Sequence, residues 1–184
     1  MIKKISKAGR HVQLIEEIEK YPFITDDELS QKLGVSLPTI RLDRMELNIA
    51  EHRERIKNIA KNNVAKVRSI GEGDIVGEIV DIKPGESAVA LLLTDESMVF
   101  SGSKVIRGSF IYSFAESAAI AVIDARAALI GVANIKYKSP AFLGEKLVAY
   151  AQVKSIRADR HIVWVFIKSN GKEMFRGKFL LTSI

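Results

Sequence analysis

The chain has 184 residues, 47% hydrophobic and 27% charged, a profile that fits one folded core or a small domain joined to a larger one and excludes disordered and fibrous classes. With no cysteine it has no disulfide, thiol nucleophile or Cys-ligated metal site, which suits a reducing cytoplasm, and no apolar run reaches the about eighteen residues that a membrane span needs. The net charge is +6, and from Arg55 to Arg68 five basic residues face no acid, so a polyanionic partner is expected for the N-terminal third.

Val12, Ile15 and Ile18 stand at helical spacing and predict a helix over Ala8 to Tyr21, stopped by Pro22. Thr25 with Glu28 three residues later is a capping box that opens a second short helix through Leu29 and Leu33, ended by Gly34. Ser36 caps a third helix running from Leu37 to Leu47. Three short helices with a tight glycine turn between the last two describe a helix-turn-helix over residues 1–50. In such units the third helix enters the major groove of double-stranded DNA. Leu37, Ile40 and either Met45 or Leu47 are expected to face inward, and Ser36, Pro38, Thr39, Arg41 and Arg44 outward, where an arginine can fork onto guanine or grip a phosphate. An ordinary three-helix bundle with solvated arginines would share the pattern, but not the local basic excess.

Residues 51–69 continue as an amphipathic linker helix, with Ile56, Ile59, Ala60, Val64 and Val67 in a broken apolar stripe beside Arg55, Lys57 and Lys61. Such a helix can dock on a protein core or lie along phosphates, and Asn62 and Asn63 weaken its far end. Ser69 to Gly73, SIGEG, marks a glycine-rich hinge; the spacing of Gly71, Gly73 and Gly77 does not match a dinucleotide loop, and no strand precedes them.

Residues 70–184 form the third part. Strands are expected at Asp74 to Ile82 and Ser87 to Leu93, then a loop carrying Phe100 and ending in Arg107 and Gly108. The helix that follows holds Ala115, Ala118, Ala119 and Ala121 and is apolar on nearly every side, so other structure must wrap it. Alternating runs at Ala128 to Tyr137, Lys146 to Arg157, His161 to Ser169 and Glu173 to Thr182 supply the wrapping. The fold class is α+β, with a curved antiparallel sheet closed around one helix. His11, His52 and His161 are scattered with no ligand spacing, so no metal site is expected; no nucleophile elbow or P-loop is present.

GVSLPTIRLDRMEL at the helix-turn-helix, RERIK at 53–57, and VIRG followed by a helix ending AIAVID resemble the FapR family, repressors of bacterial fatty-acid and phospholipid synthesis. The match covers nearly the whole chain in the right order. The resemblance implies a DeoR-like helix-turn-helix, a linker helix, and a thioesterase-like hot-dog domain that forms a homodimer and takes malonyl-CoA or its carrier-protein analogue, or another acyl-CoA, as effector. No cofactor is implied. By position, Arg107 matches the arginine that pairs with the malonyl carboxylate, Gly108 the adjacent loop glycine and Phe100 an aromatic of the ordering loop. Effector binding then draws the linker off DNA and onto the sheet.

Glu116 departs from the family pattern, which has an asparagine there. Asparagine can donate to an acyl oxygen, whereas an ionised carboxylate only accepts. Three roles stay open: an ion pair with Arg107 across the dimer interface, an altered effector contact, or a general base as in PaaI-like thioesterases. The last defines the alternative function, an acyl-CoA thioesterase, although that type has histidine and glycines where this chain has Ile106, Arg107 and Gly108.

Overall fold

The computed structural model describes residues 6–184, the side chain of Asn62 excepted, so the first five residues of the basic N-terminus lie outside the described part. It separates into two compact units that meet between Ile59 and Ala60.

The first unit is built on three helices: α1, Lys7–Lys20; α2, Asp26–Leu33; and α3, Leu37–Glu46. Their starts follow the local code. Ser6 accepts from the Gly9 amide, Thr25 and Glu28 form the reciprocal capping box, and Ser36 accepts from the Thr39 amide. Gly34 closes α2 with φ +65°, a left-handed conformation that glycine adopts without steric cost. Leu14, Ile18, Ile24, Leu29, Leu33 and Ile40 make the core, with Val35, Leu47 and Ile49 packed against it. One expectation about phase is corrected: Val12 is exposed because the inward stripe of α1 runs through Leu14 and Ile18. Of the pair Met45 and Leu47, Leu47 at the C-cap of α3 takes the inner place and Met45 is exposed.

A fourth helix, α4, spans His52–Val64, so the division between units falls inside it. It is shorter than the linker expected over 51–69 and ends one residue past Asn63, whose side chain donates to the Val80 carbonyl at 2.8 Å.

The second unit is one six-stranded antiparallel sheet in the order β1-β2-β4-β5-β6-β3. The strands are β1, Glu78–Lys83; β2, Ser87–Leu93; β3, Ala128–Tyr137; β4, Lys146–Arg157; β5, Arg160–Ser169; and β6, Lys172–Ser183. The first strand starts later than expected, because Glu72–Asp74 forms a 3₁₀ turn and Gly77 takes φ +81°. A Cβ at Gly77 would lie 2.5 Å from the Leu91 carbonyl oxygen, so glycine is needed there for close approach.

Helix α5, Gly108–Ala121, packs on β2 to β6 with Ile111, Phe114, Ala115, Ser117, Ala118, Ala119 and Ala121 buried. Small residues let the strands approach it closely; Ala88, Ala90, Ala149 and Ala151 face it from the sheet in the same core as Phe175 and Phe179. This is a sheet wrapped around a helix, the hot-dog arrangement. Among the described residues β3 is an edge strand, paired with β6 on one side, and it leaves Leu129 and Val132 exposed. Among the described residues no helix is long and apolar enough to cross a membrane.

Candidate nucleic-acid interface and effector site

In the first unit the structure divides the expected DNA-contacting residues into two sets. Ser36, Pro38 and Arg41 are exposed and Thr39 is half-exposed, at the start of α3. The Ser36 and Thr39 hydroxyls lie 2.9 Å apart, so they already bond each other within the cap. Lys57 and Lys61 are exposed on α4, and so is Arg53; the three stand four residues apart and line one face of the helix. Arg53 was missed in the sequence because Glu51 and Glu54 flank it and cancel its charge in any local count.

Arg44 and Arg55 do not face outward. Arg44 is 5% exposed; its Nε and Nη2 donate to the two carboxylate oxygens of Asp26 at 2.8 and 2.7 Å, and Nη1 donates to the Ile49 carbonyl. A buried guanidinium in a bidentate pair holds helices together. Arg55 is 7% exposed and donates to the carbonyls of Pro22, Ala50 and Ile24 at 3.1, 2.7 and 2.5 Å. It fixes the start of α4 to the first unit and satisfies three carbonyls that end α1, precede α2 and precede α4. Burial, followed by the nearby charge of Arg44, lowers its pKa. A third network surrounds Asp43, which accepts from Arg10 at 2.5 and 2.9 Å and lies 3.0 Å from His11 Nε2. Chiefly through the Arg10 hydrogen bond, this network holds the Asp43 carboxyl below the usual range.

In the second unit the loop before α5 is a folded hairpin. Val99 bridges Ile106, the Phe100 amide donates to the Val105 carbonyl at 3.0 Å, and the Arg107 amide donates to the Met98 carbonyl at 2.8 Å. Val105 bridges Phe142, and the Ile106 amide donates to Ala141, so the hairpin leans on the segment before β4. Phe100, at the tip, is 52% exposed.

Arg107 precedes the first turn of α5. Its Nη2 donates to the Ser97 carbonyl at 2.6 Å and its guanidinium lies 4.7 Å over the Phe110 ring, while its Nε is buried without a hydrogen-bond partner. No ion pair joins Arg107 to an acid among the described residues, and within the chain Glu116 does not supply one. Glu116 is half-buried one turn past Tyr112, whose hydroxyl pKa is raised by burial and then by the Glu116 charge.

The two chain neighbours of Arg107, Ile106 and Gly108, line a cavity of about 300 Å³ with Ile111, Tyr137, Pro140 and Met174. Tyr137 closes one wall by donating its hydroxyl to the Gly108 carbonyl at 2.9 Å. A second cleft of about 430 Å³ shares Ser139, Pro140 and Met174 and extends to Ser169 and Lys172. The Ser169 hydroxyl is buried without a partner there. Tyr137 and Met174 were not found in the sequence, because they reach the loop through the pairing of β3 with β6. Among the described residues no group of His, Cys, Asp or Glu is placed to hold a metal ion.

Comparison with solved structures finds the same fold in the second unit's class. An uncharacterised protein of Pyrococcus horikoshii aligns with TM-score 0.60 at 25% identity over 64% of this chain and 91% of its own. The PaaI protein of the phenylacetic acid degradation operon of E. coli aligns with TM-score 0.54 at 21% identity over 58% of this chain and 78% of its own. No family model matches. Among curated proteins, "Transcription factor FapR" of Caldanaerobacter subterraneus subsp. tengcongensis is 51% identical over 184 residues, which is 100% of this chain and 92% of the relative. That of Halalkalibacterium halodurans is 39% identical over 97% of this chain and 96% of its own length. The reading helix, the linker and the helix-wrapping sheet thus occur together in relatives aligned over nearly their whole length, and the chain belongs to the FapR family of transcription factors, a DNA-binding regulator of transcription.

Proposed function

We propose that this protein represses bacterial fatty-acid and phospholipid genes by occupying their operators, and leaves them when an acyl thioester with a free carboxylate binds the hot-dog unit. The observation that carries the reading is Arg107: a guanidinium with no carboxylate partner among the described residues, its Nε unsatisfied, flanked by two residues that line a cavity. A planar, permanently charged fork suits a carboxylate, and the positive end of the α5 dipole favours an anion. Malonyl-CoA or its carrier-protein analogue is the ligand of the family resemblance. In this scheme Arg107 exchanges the Ser97 carbonyl for the ligand carboxylate, Gly108 lets the ligand approach the helix start, and Phe100 closes over it. Glu116 adjusts which acyl group is accepted, because a second carboxylate near a malonate is repulsive in a dry site.

Residues 1–50, 51–69 and 70–184 act as reading head, linker and effector domain. On DNA, Ser36, Pro38, Thr39 and Arg41 meet the major groove, while Arg53, Lys57 and Lys61 follow phosphates. With effector bound, the apolar stripe of α4 docks on the outer sheet face, where Trp164 and Phe166 stand half-exposed. The loss of several phosphate contacts weakens DNA binding by orders of magnitude. The exposed edge of β3, with Leu129 and Val132, supports a homodimer, since an apolar edge strand left open pairs with another chain. A protein that meets operators and CoA thioesters works in the cytoplasm.

A melting series with malonyl-CoA, acetyl-CoA and free CoA tests the proposal. A ligand selective for the native state raises Tm, by about 2.7 kcal/mol of stabilisation at a hundred times its Kd. The expected order is malonyl-CoA above acetyl-CoA above CoA. Steady hydrolysis of the thioesters, abolished in Glu116→Ala, would favour the thioesterase reading instead.

A further inference from the structure

Helix α3 presents an apolar stripe that its own core does not use. Leu42 is 60% exposed and Met45 71%, whereas Ile40 is fully buried. Pro38, Arg41, Leu42 and Met45 follow one another at i, i+3, i+4 and i+7, so they share a single helix face. The helix cannot roll to hide them. Asp43 is held from behind by Arg10 and His11, and Arg44 by Asp26, and these two ion-paired positions lie on the opposite side.

A leucine exposed alone needs no explanation. Two large apolar side chains are different when they occupy the face that a helix-turn-helix turns toward the major groove. The charge around them selects the occupant: Arg41 lies in the same stripe, Arg53 lines one cleft with Arg41 and Met45, and Lys57 is exposed one turn further along α4, a setting complementary to a polyanion. Within the major groove the one apolar feature on a base edge is the C5-methyl of thymine.

We infer that Leu42 and Met45 are specificity-determining residues that read thymine methyl groups in the operator, beside a polar contact from Arg41. Leu42 sits beside Arg41 and makes the tighter contact; Met45, one turn on and unbranched, adapts to the neighbouring step. The consequence is an operator half-site that requires T·A pairs at adjacent positions on one strand.

The test uses full-length protein and a duplex enriched by it from a random-sequence pool. Each thymine of that duplex is then replaced singly by deoxyuridine, which removes only the methyl group. The account expects a three- to tenfold loss of affinity at one or two adjacent positions per half-site, with the others indifferent, since a buried methyl is worth about that factor. Leu42→Ala should bind the parent duplex weaker by the same factor and no longer distinguish thymine from deoxyuridine at its position; Met45→Ala should do so at the next. Both sites are exposed and alanine favours helix, so the fold is retained, which the melting curve checks. A duplex with no methyl-sensitive position, or variants as sensitive to deoxyuridine as the parent, overturns the inference. So does a loss of self-association in Leu42→Ala with DNA affinity unchanged, which would make the stripe a protein contact.

Discussion

The arginines of the two units are used in opposite ways. Arg44 and Arg55 are nearly buried and every face of each guanidinium is turned to a carboxylate or a carbonyl, whereas Arg107 has one carbonyl, one ring face and an unsatisfied Nε. Sequence gives all three the same fixed charge. What separates a brace from a candidate ligand contact is how completely the fold has already satisfied the donors. A satisfied buried cation costs stability when removed, and an unsatisfied one costs function.

The largest effect expected from this contrast is on folding of the first unit. Arg44→Ala leaves Asp26 without its cation and should cost about 3 kcal/mol or more, with Arg55→Ala similar through its orphaned carbonyls. For a unit of this size that lowers Tm by more than about 10 °C. Arg107→Ala should change stability by less than about 1 kcal/mol. Chemical denaturation of the three variants measures the ranking, and equal losses would erase the distinction.

Next is DNA affinity. Lys57→Ala, Lys61→Ala and Arg53→Ala should each weaken operator binding several-fold and reduce the slope of log K against log salt by about 0.9, while leaving Tm in place. Fluorescence anisotropy at several salt concentrations reads both quantities. An unchanged slope would remove α4 from the interface.

Glu116→Asn sharpens the comparison from the other side. It removes a negative charge from α5 and restores a donor, so affinity for malonyl-CoA should rise by about tenfold. Calorimetry on the two proteins gives the answer, and a weaker complex would make Glu116 part of the binding site in its ionised form.

The smallest effect is on acid stability. Asp43 has its folded-state pKa depressed, mainly by Arg10, so its ionised form contributes stability above the unfolded value near about 3.9. That contribution is lost as pH falls through the lower folded value. Asp43→Asn should therefore flatten the acid limb of the first unit's stability curve below about pH 4, as read by circular dichroism.

Local chemistry made much of this readable beforehand. The Thr25–Glu28 box, the Ser36 cap and Gly34 set the helix starts and stops within a residue or two, and the alternation in β4, β5 and β6 gave their limits almost as closely. What stayed hidden was long-range. Arg44 meets Asp26 eighteen residues away, and Arg55 meets carbonyls that carry no sequence signal at all. Helical phase assigned Arg44 outward because nothing in α3 itself announces its partner. In the second unit Arg107, Gly108 and Phe100 are candidates through the family pattern, but the cavity walls come from strands whose register no single strand reveals.

The most direct measurement is the release of operator DNA by malonyl-CoA, titrated against native protein and Arg107→Ala at equal occupancy. Arg107 is predicted to leave DNA affinity unaltered and to carry the response, so the native complex dissociates while the variant stays bound at the same ligand concentrations. Release of the variant at the concentration that releases the native protein would contradict the account.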